Sequence, residues 1–172
     1  EIPARGLIGM RSQMLTATAG EAVMFHAYHE HAPTRTTAYR RPNGVMIATM
    51  PGQATTYSML NLSQRGVLMV EPGETIYAGQ VVGENARDND LDVNIVKSKA
   101  FSNMREATKE ATVVLKTSRK LSLESALEYI QDDELVEITP DAIRIRKKIL
   151  DESKRRQVAR QGKQAREGAT GH

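Results

Sequence analysis

The sequence contains no cysteine and no tryptophan, and aromatic residues make up only 4% of its 172 residues. Without cysteine the chain has neither disulfide bonds nor thiolate ligands, which excludes a disulfide scaffold and a cysteine zinc site. So few aromatic rings also exclude an RNA-binding sheet that stacks several bases. Any recognition of nucleic acid by this chain is therefore expected to depend on charged and amide side chains.

Long apolar runs are also missing. No run approaches the ~20 residues that span a bilayer, and no signal-peptide pattern opens the chain. Charged residues at 26% and apolar residues at 40% are typical of a soluble globular protein with one domain or two small ones. We expect a cytoplasmic protein. Because the chain opens without methionine in a patterned segment, we also expect it to belong to a longer protein.

Recognisable catalytic motifs are absent as well. The sequence has no G-x-x-x-x-G-K-[ST], the loop whose backbone cradles nucleotide phosphates. We therefore expect that this chain does not hydrolyse GTP. A serine–histidine–aspartate arrangement cannot be argued from spacing, because such partners converge only in space. The expected role is binding without a cofactor.

One segment has oxygen-bearing side chains at alternate positions, as in a calcium-binding loop. These residues are Asp88, Asp90, Asp92 and Asn94. However, Val93 occupies the position of the turn glycine, and Lys99 occupies that of the bidentate glutamate. We predict that the acids form turns and pair with Arg87 or nearby lysines, and that they do not bind calcium.

Three histidines lie close together in the first part of the chain. In a strand, His29 and His31 would share a face while His26 would point the other way. Three convergent zinc ligands are therefore not expected. We interpret the histidines as the end of a strand that emerges into water.

The first quarter of the chain predicts one helix, one strand and a linker. Apolar residues at helical spacing predict a helix over residues 3–18, and Gly20 is expected to end it. Residues 22–31 predict a strand that begins with the apolar run AVMF. One helix and one strand are too little for a layer with its own core. Residues 32–43, rich in turn formers and cations, predict a linker.

The middle of the chain predicts a small β-rich unit. Short apolar segments over residues 44–50, 67–70, 75–77 and 80–83 alternate with glycine and proline turns, which indicates an antiparallel sheet or partial barrel. Residues 54–62 fit either a strand or a helix, and their β-branched start favours a strand. The expected core consists of Val45, Ile47, Leu68, Val70, Ile76, Val81 and Val82.

The last third predicts a strand over residues 112–116, a helix over 121–131 and a hairpin over 135–147. Ser122 is a natural N-cap for the helix. In the second hairpin strand, isoleucines alternate with arginines, so one face should enter the core while the other presents cations. Residues 151–164 predict a polar helix in a basic tail, which either meets a polyanion or is simply solvated.

Residues 83–110 show neither alternation nor helical spacing, and long irregular segments of this kind are often binding loops. The segment combines amides, which hydrogen-bond to bases, with cations, which pair with phosphates. The amides are Asn85, Asn89, Asn94 and Asn103, and the cations are Arg87, Lys97, Lys99 and Arg105. Interspersed aspartates favour shaped hydrogen bonding to RNA over charge attraction alone. The alternative is a solvated insertion; in either case we expect mobility, with folding on binding.

An ordered series of motifs carries a resemblance to a known family. RDNDL-V-N is followed by SNMR and then by RKLSLE-ALEYI-DDELVEITP--IRIRKK. Together, over about residues 2–156, these motifs resemble the C-terminal region of BipA (also called TypA). That family comprises ribosome-associated translational GTPases related to elongation factor G. Asn85 and Ala86 stand where members commonly have His-Ser, and Glu106 adds an acid beside the SNMR motif.

The resemblance implies an α+β fold. Residues 1–33 resemble the last helix and strand of a ferredoxin-like fifth domain, and residues 34–151 resemble the family's own β-rich C-terminal domain with a mostly antiparallel sheet. Residues 152–172 form the basic, partly disordered tail. The domain that binds GTP and Mg²⁺ lies outside this chain. An incomplete first domain would expose an apolar face and favour self-association.

The resemblance also implies a partner and a site. The loop is expected to reach the peptidyl transferase region of the large ribosomal subunit and the acceptor end of an A-site tRNA, in regulating translation or in ribosome assembly, often under stress. The predicted RNA contacts are Arg87, Asn89, Asn94, Lys97, Lys99, Asn103 and Arg105. A second, less specific phosphate surface is predicted at Arg144, Arg146, Lys147 and Lys148. The alternative is a protein-interaction module with an incidental basic tail.

Overall fold

The computed structural model describes residues 1–7, 9–33, 41–98, 115 and 117–169. It begins with a short 3-10 helix, Ala4–Leu7, and helix α1, Met10–Ala17. Gly20 has a φ of 91°, and its N–H donates to the carbonyl of Leu15 at 2.7 Å. This left-handed conformation is typical of a helix end, so the predicted stop is confirmed.

The remaining elements form a β-rich unit with three helices. In chain order they are β1 (Val45–Ala48), β2 (Gly52–Gln53), α2 (Thr56–Leu62), β3 (Gly66–Leu68), β4 (Thr75–Ile76), β5 (Val81–Asn85), β6 (Leu91–Val93), α3 (Leu123–Tyr129), β7 (Glu134–Ile138), β8 (Ile143–Lys147) and α4 (Glu152–Ala169). The predicted α+β class is confirmed.

A four-stranded sheet in the order β3-β5-β1-β6 organises this unit. β5 pairs antiparallel with both β1 and β3, whereas β6 pairs parallel with β1. Two antiparallel ribbons, β2–β4 and β7–β8, complete the strands. A bridge between Gln80 and Arg146 joins the β7–β8 hairpin to the chain just before β5.

The sheet separates two clusters of buried apolar side chains. Alternate residues of β1 point to opposite faces. Met46 packs with Met59 of α2, whereas Val45 and Ile47 pack with α3 and the β7–β8 hairpin. The predicted core is confirmed, since all its members are buried: Val45, Ile47, Leu68, Val70, Ile76, Val81 and Val82.

The predicted α3 cap and the hairpin are also confirmed. The Ser122 hydroxyl accepts from the Ser125 N–H at 3.2 Å, which satisfies a donor at the helix start. β7 and β8 pair in register from Glu134 opposite Lys147 to Ile138 opposite Ile143. The helix predicted in the tail is present as α4. No helix in the described part of the chain combines the length and the apolar character needed to cross a membrane.

The strand predicted over residues 22–31 is wrong. The segment has no regular structure, and several of its apolar side chains are exposed, with Phe25 at 90% and Val23 at 73%. A strand forms only where a neighbour completes its hydrogen-bond ladder, and no described residue pairs with this segment. The helix and strand expected of a ferredoxin-like remnant are therefore reduced to the helix.

Two further interpretations need correction. Residues 56–62 form a helix, because the Thr55 hydroxyl caps it by accepting from the Ser58 N–H at 3.3 Å. Residues 83–98 are irregular only in part, because β5 extends to Asn85 and β6 pairs with the distant β1. Of the strand predicted over residues 112–116, only Leu115 lies within the described residues, and it packs against the Met46 cluster.

Ile138 and Ile145 of the hairpin offer a matched test of this core. Ile145 is 1% exposed, whereas Ile138 is 63% exposed. We expect Ile145→Ala to lower the free energy of unfolding by about 2–5 kcal/mol, because it leaves a cavity in the core. Ile138→Ala should change it by about 0.5 kcal/mol or less. Urea denaturation of both variants measures the difference, and equal losses would contradict the described packing.

Candidate functional site

A tight turn joins β5 to β6 and carries two of the predicted RNA contacts, Arg87 and Asn89. The Gly44 N–H donates to the Arg87 carbonyl at 2.7 Å, and the Asn85 N–H donates to the Gly44 carbonyl at 2.9 Å. The Asn85 side-chain amide donates to the Asn89 carbonyl at 2.7 Å. The turn is thus fixed through its backbone, while the side chains of Arg87 and Asn89 remain exposed.

Gly44 is where the turn touches the start of β1. A Cβ at this position would overlap the carbonyl of Asn89 and lie 2.6 Å from the nitrogen of Asp90. These are backbone atoms, so they cannot move aside as the end of a flexible side chain can. The close approach therefore requires glycine at position 44.

Asp90 closes the turn from the other side. Its Oδ1 accepts from the Val45 N–H at 2.9 Å, and its Oδ2 lies 2.6 Å from Nζ of Lys147. One carboxylate thereby connects the turn to the central strand β1 and to the end of β8. The sequence predicted that Asp90 pairs with Arg87 or a nearby lysine. Asp90 does pair with a cation, but that cation is Lys147, from far along the chain.

The other end of β6 is also anchored. The carbonyl of Lys97 accepts from the Thr55 hydroxyl at 2.6 Å and from the Ser58 hydroxyl at 2.7 Å, both at the start of α2. The Asn94 Oδ1 accepts from the Val96 N–H at 3.2 Å. The side chains of Asn94 and Lys97 are exposed.

Hydrogen bonds to residue 44 and to α2 hold both ends of β6, so residues 83–98 are anchored to the fold, while folding on binding stays a prediction. The remaining predicted contacts of the segment lie outside the described residues. They are Lys99, Asn103 and Arg105.

A buried ion cluster lies under the turn. Glu134 is fully buried, and Arg41 donates two hydrogen bonds to its carboxylate, from Nη1 to Oε2 at 2.7 Å and from Nη2 to Oε1 at 2.5 Å. Lys147 Nζ lies 2.9 Å from Glu134 Oε1 and 2.7 Å from Asp133 Oδ2. The Arg41 guanidinium also lies 4.6 Å above the Tyr129 ring. The cluster connects Arg41, which lies shortly before β1, to α3, β7 and β8.

Opposing effects set the pKa values within this cluster. Burial alone raises the pKa of Glu134, but the hydrogen bond from Arg41 and the charge of Lys147 outweigh burial and hold that pKa below its ordinary value. Burial alone lowers the pKa of Lys147, but Glu134, Asp133 and Asp90 outweigh it and raise that pKa. Both groups are therefore charged at neutral pH.

The structure separates the four predicted cations of the hairpin. Arg144 and Arg146 share one face of β8 and flank Glu137, with Nε of Arg146 4.0 Å from its carboxylate. Lys148 is exposed, whereas the Lys147 side chain is only 3% exposed and held by carboxylates. The prediction that Lys147 contacts phosphate directly is therefore wrong, and this residue is not part of the phosphate surface.

Asp92 shows how α4 is attached. Its Oδ1 lies 2.5 Å from Nη2 of Arg155, which also donates through Nη1 to the carbonyls of Ile149 and Leu150. Arg156 Nη2 lies 3.6 Å from Asp92 Oδ2. Like Asp90, Asp92 is already paired with a cation within the fold.

The sequence did not reveal four residues that hold the turn and its acids in place: Arg41, Gly44, Glu134 and Arg155. Arg41 was assigned to the linker and Arg155 to the tail, because both sit in runs of cations. The one available signal was Glu134, an acid that leads directly into the apolar strand β7.

Comparison with known proteins agrees with this description. The TypA/BipA C-terminal domain family matches residues 43–152. A Bacillus subtilis protein named large ribosomal subunit assembly factor BipA is 42% identical over 165 residues, 95% of this chain and 27% of that protein. Proteins of the same name from Synechocystis and Haemophilus influenzae are 45% and 42% identical over 85% and 92% of this chain. The chain spans about a quarter of the length of these relatives.

Gly44→Ala tests the clamped turn, which is the β5–β6 turn held by hydrogen bonds to Gly44 and Val45. Because the new methyl group must displace the backbone of Asn89 and Asp90, we expect a loss of about 2 kcal/mol or more in the free energy of unfolding. We also expect faster hydrogen exchange at the Val45 amide, which donates to Asp90. The measurements are chemical denaturation and amide exchange by NMR.

Gly162→Ala is the matched control, since no atom lies within 4 Å of its added Cβ. In the helix α4 alanine should raise stability by up to about 1 kcal/mol. If Gly44→Ala behaved like this control, the clamp would not exist as described.

Acid titration tests the buried carboxylate. Because folding lowers the pKa of Glu134 from its ordinary value of 4.5, its contribution to stability is complete above that pH and is lost as the pH falls through the lower folded pKa. We expect the free energy of unfolding to fall less steeply below pH 4.5 in Glu134→Gln than in the unmodified chain. Glu124→Gln makes the same change at an exposed position on α3 and serves as the control. Equal slopes for all three proteins would contradict the assignment.

Proposed function

The chain belongs to the TypA/BipA C-terminal domain family, and from that premise we propose that it binds RNA of the large ribosomal subunit. The name of its relatives, large ribosomal subunit assembly factor, supports this partner. The chain contributes binding and not catalysis, and its site of action is the cytoplasm. The longer protein of this kind regulates translation or ribosome assembly, including under stress.

The observation that carries the proposal is the clamped turn between β5 and β6. Arg87 projects from a backbone held at both ends, and its planar guanidinium can pair with two phosphate oxygens at once. The amide of Asn89 can both donate to and accept from a base edge. A fixed backbone with exposed polar side chains suits recognition of a defined RNA shape.

A second cation stands at the far end of the short strand β6. The three residues of β6 span about 10 Å, and Asn94 and Lys97 follow them. The tie between the Lys97 carbonyl and α2 fixes the position from which the lysine projects. The two ends of β6 therefore present cations at a set distance along one edge of the sheet.

The finer target follows from the chemistry of the adjoining segment. We infer that Lys99, Asn103 and Arg105 extend this surface toward the acceptor end of an A-site tRNA and the peptidyl transferase region. Arg144, Arg146 and Lys148 supply a second, less specific phosphate surface. Lys147 takes no part in it, because its ammonium is enclosed by carboxylates.

GTP and Mg²⁺ belong to another part of the longer protein. The residues present do not fit them, since the sequence has no phosphate-binding loop. Asp90 and Asp92, the acids nearest the turn, are already paired with Lys147 and Arg155. No step of the proposed function passes through a nucleotide bound to this chain.

A hollow on the outer face of the β7–β8 hairpin favours a second candidate function, docking of a protein. It has a volume of about 540 Å³ and is lined by Tyr77, Leu135, Val136, Glu137, Arg146 and Leu150. Leu135 and Leu150 are 38% and 40% exposed, so the hollow offers apolar surface. Salt separates the two functions, because RNA binding weakens steeply with salt and a mostly apolar protein interface does not.

Charge reversal at both ends of β6 tests the RNA surface. We expect Arg87→Glu/Lys97→Glu to bind purified large ribosomal subunits at least about tenfold more weakly at low salt. The slope of log affinity against log salt should fall by about 1 to 2, because up to two phosphate contacts are lost. Sedimentation binding at several salt concentrations measures both quantities.

Arg11→Glu/Lys120→Glu is the matched control, since it changes the net charge equally at exposed positions away from the turn. It should keep most of the affinity. Salt-insensitive binding that survives Arg87→Glu/Lys97→Glu and is abolished by Leu135→Glu would replace the RNA surface with a protein interface at the hollow.

A further inference from the structure

We propose that Lys147 is a positioning residue, which holds the β5–β6 turn from inside the protein so that Arg87 and Asn89 meet RNA in a fixed arrangement. The inference rests on the proposed RNA-binding function, but it concerns a residue that does not touch RNA. The sequence indicated a surface contact for Lys147, because it lies among other basic residues. The inference assigns it instead a role in positioning the turn.

The first support is the environment of the ammonium group. Lys147 Nζ lies 2.6 Å from Asp90, 2.7 Å from Asp133 and 2.9 Å from Glu134, and its side chain is 3% exposed. An ammonium has three donors on a compact centre, so one lysine can serve three carboxylates. The group is saturated and cannot also bind a phosphate.

The second support is that Lys147 is itself immobile. Its N–H donates to the Gly79 carbonyl at 2.9 Å, and it stands opposite Glu134 in the β7–β8 pairing. Glu134 itself accepts hydrogen bonds from Arg41, and its Oε2 also accepts from the Gln131 N–H at 3.1 Å. Lys147 is therefore a fixed point to which a less rigid segment can be attached.

The third support is the position of Asp90 at the end of the turn. Both of its oxygens are engaged, one by the Val45 N–H and the other by Lys147, although the side chain is 39% exposed. Without the ammonium, Asp90 and Asp133 could turn toward water, since both are partly exposed, whereas buried Glu134 would keep Arg41. Loss of Lys147 should therefore release the turn before it unfolds the protein.

Lys147→Met tests this directly, because methionine keeps the buried aliphatic stem and removes the charge. We expect amide hydrogen exchange at Gly44 and Val45 to become about tenfold faster, since these N–H groups donate to Arg87 and Asp90 of the turn. Binding to purified large ribosomal subunits should weaken at least about fivefold. NMR exchange and sedimentation binding on the 172-residue chain supply the two readouts.

Two controls separate positioning from general destabilisation. Ile145→Val lies in the same strand and lowers stability slightly, yet it should leave both the turn amides and the affinity unchanged. Lys120→Met removes a charge from an exposed lysine and should change neither readout. If Ile145→Val loosened the turn as much as Lys147→Met did, the role of Lys147 would be structural only.

Asp90→Ala provides the second arm and keeps the test decisive if Lys147→Met does not fold. It should loosen the same amides, and in the double variant the effect of Lys147→Met on affinity should largely vanish. Additive effects would overturn the proposal. Unchanged turn amides would also overturn it, even if Arg87→Glu still weakened binding. Loosened amides with unchanged binding would instead count against the RNA surface.

Discussion

The fold depends on one buried carboxylate, Glu134, and on the two cations that make its burial tolerable. An ionised carboxylate away from water is costly unless it is paired and hydrogen-bonded. Arg41 and Lys147 provide that pairing, and they come from segments about a hundred residues apart. The sheet, α3 and the hairpin can therefore assemble in only one arrangement without leaving a buried charge unpaired. The same arrangement brings Asp90 to Lys147 and sets the turn that carries Arg87.

Much of the fold was predictable because its signals are local. The apolar runs of β1 and β5, the alternation of the hairpin, the serine cap of α3 and the turns marked by glycine and proline each depend on neighbouring residues. β6 was missed because three residues carry little periodicity, and their partner β1 lies more than forty residues earlier. α2 was missed because Thr55 acts through its hydroxyl as a cap, while propensity counts it as a strand former. The exposed segment with Phe25 follows a strand pattern, but the described chain gives it no neighbour.

The candidate site was predictable in composition but not in arrangement. The exposed positions of Arg87, Asn89, Asn94 and Lys97 agree with their prediction as surface groups. Lys147 was misplaced because it was grouped with the basic residues that end β8, although alternation with Ile143 and Ile145 places it on the inner face of that strand. Its partner Glu134 stands opposite on β7, and no pattern along a single strand can reveal that pairing. Sequence periodicity reports which side of a strand a residue takes, but not whether a charge on the inner side has a partner.

Internal pairing also resolves an apparent conflict in the charge of the turn. Three aspartates within five residues should repel phosphate and weaken RNA binding by the neighbouring arginine. Two of them are paired inside the protein, Asp90 with Lys147 and Asp92 with Arg155 and Arg156. Asp88 remains exposed beside Arg87, so the outer surface of the turn carries nearly balanced charge. Under the proposed function, attraction to the phosphate backbone alone would then be weak, and the affinity for RNA would come from well-placed hydrogen bonds. A fixed backbone presents such bonds with a small loss of conformational entropy on binding.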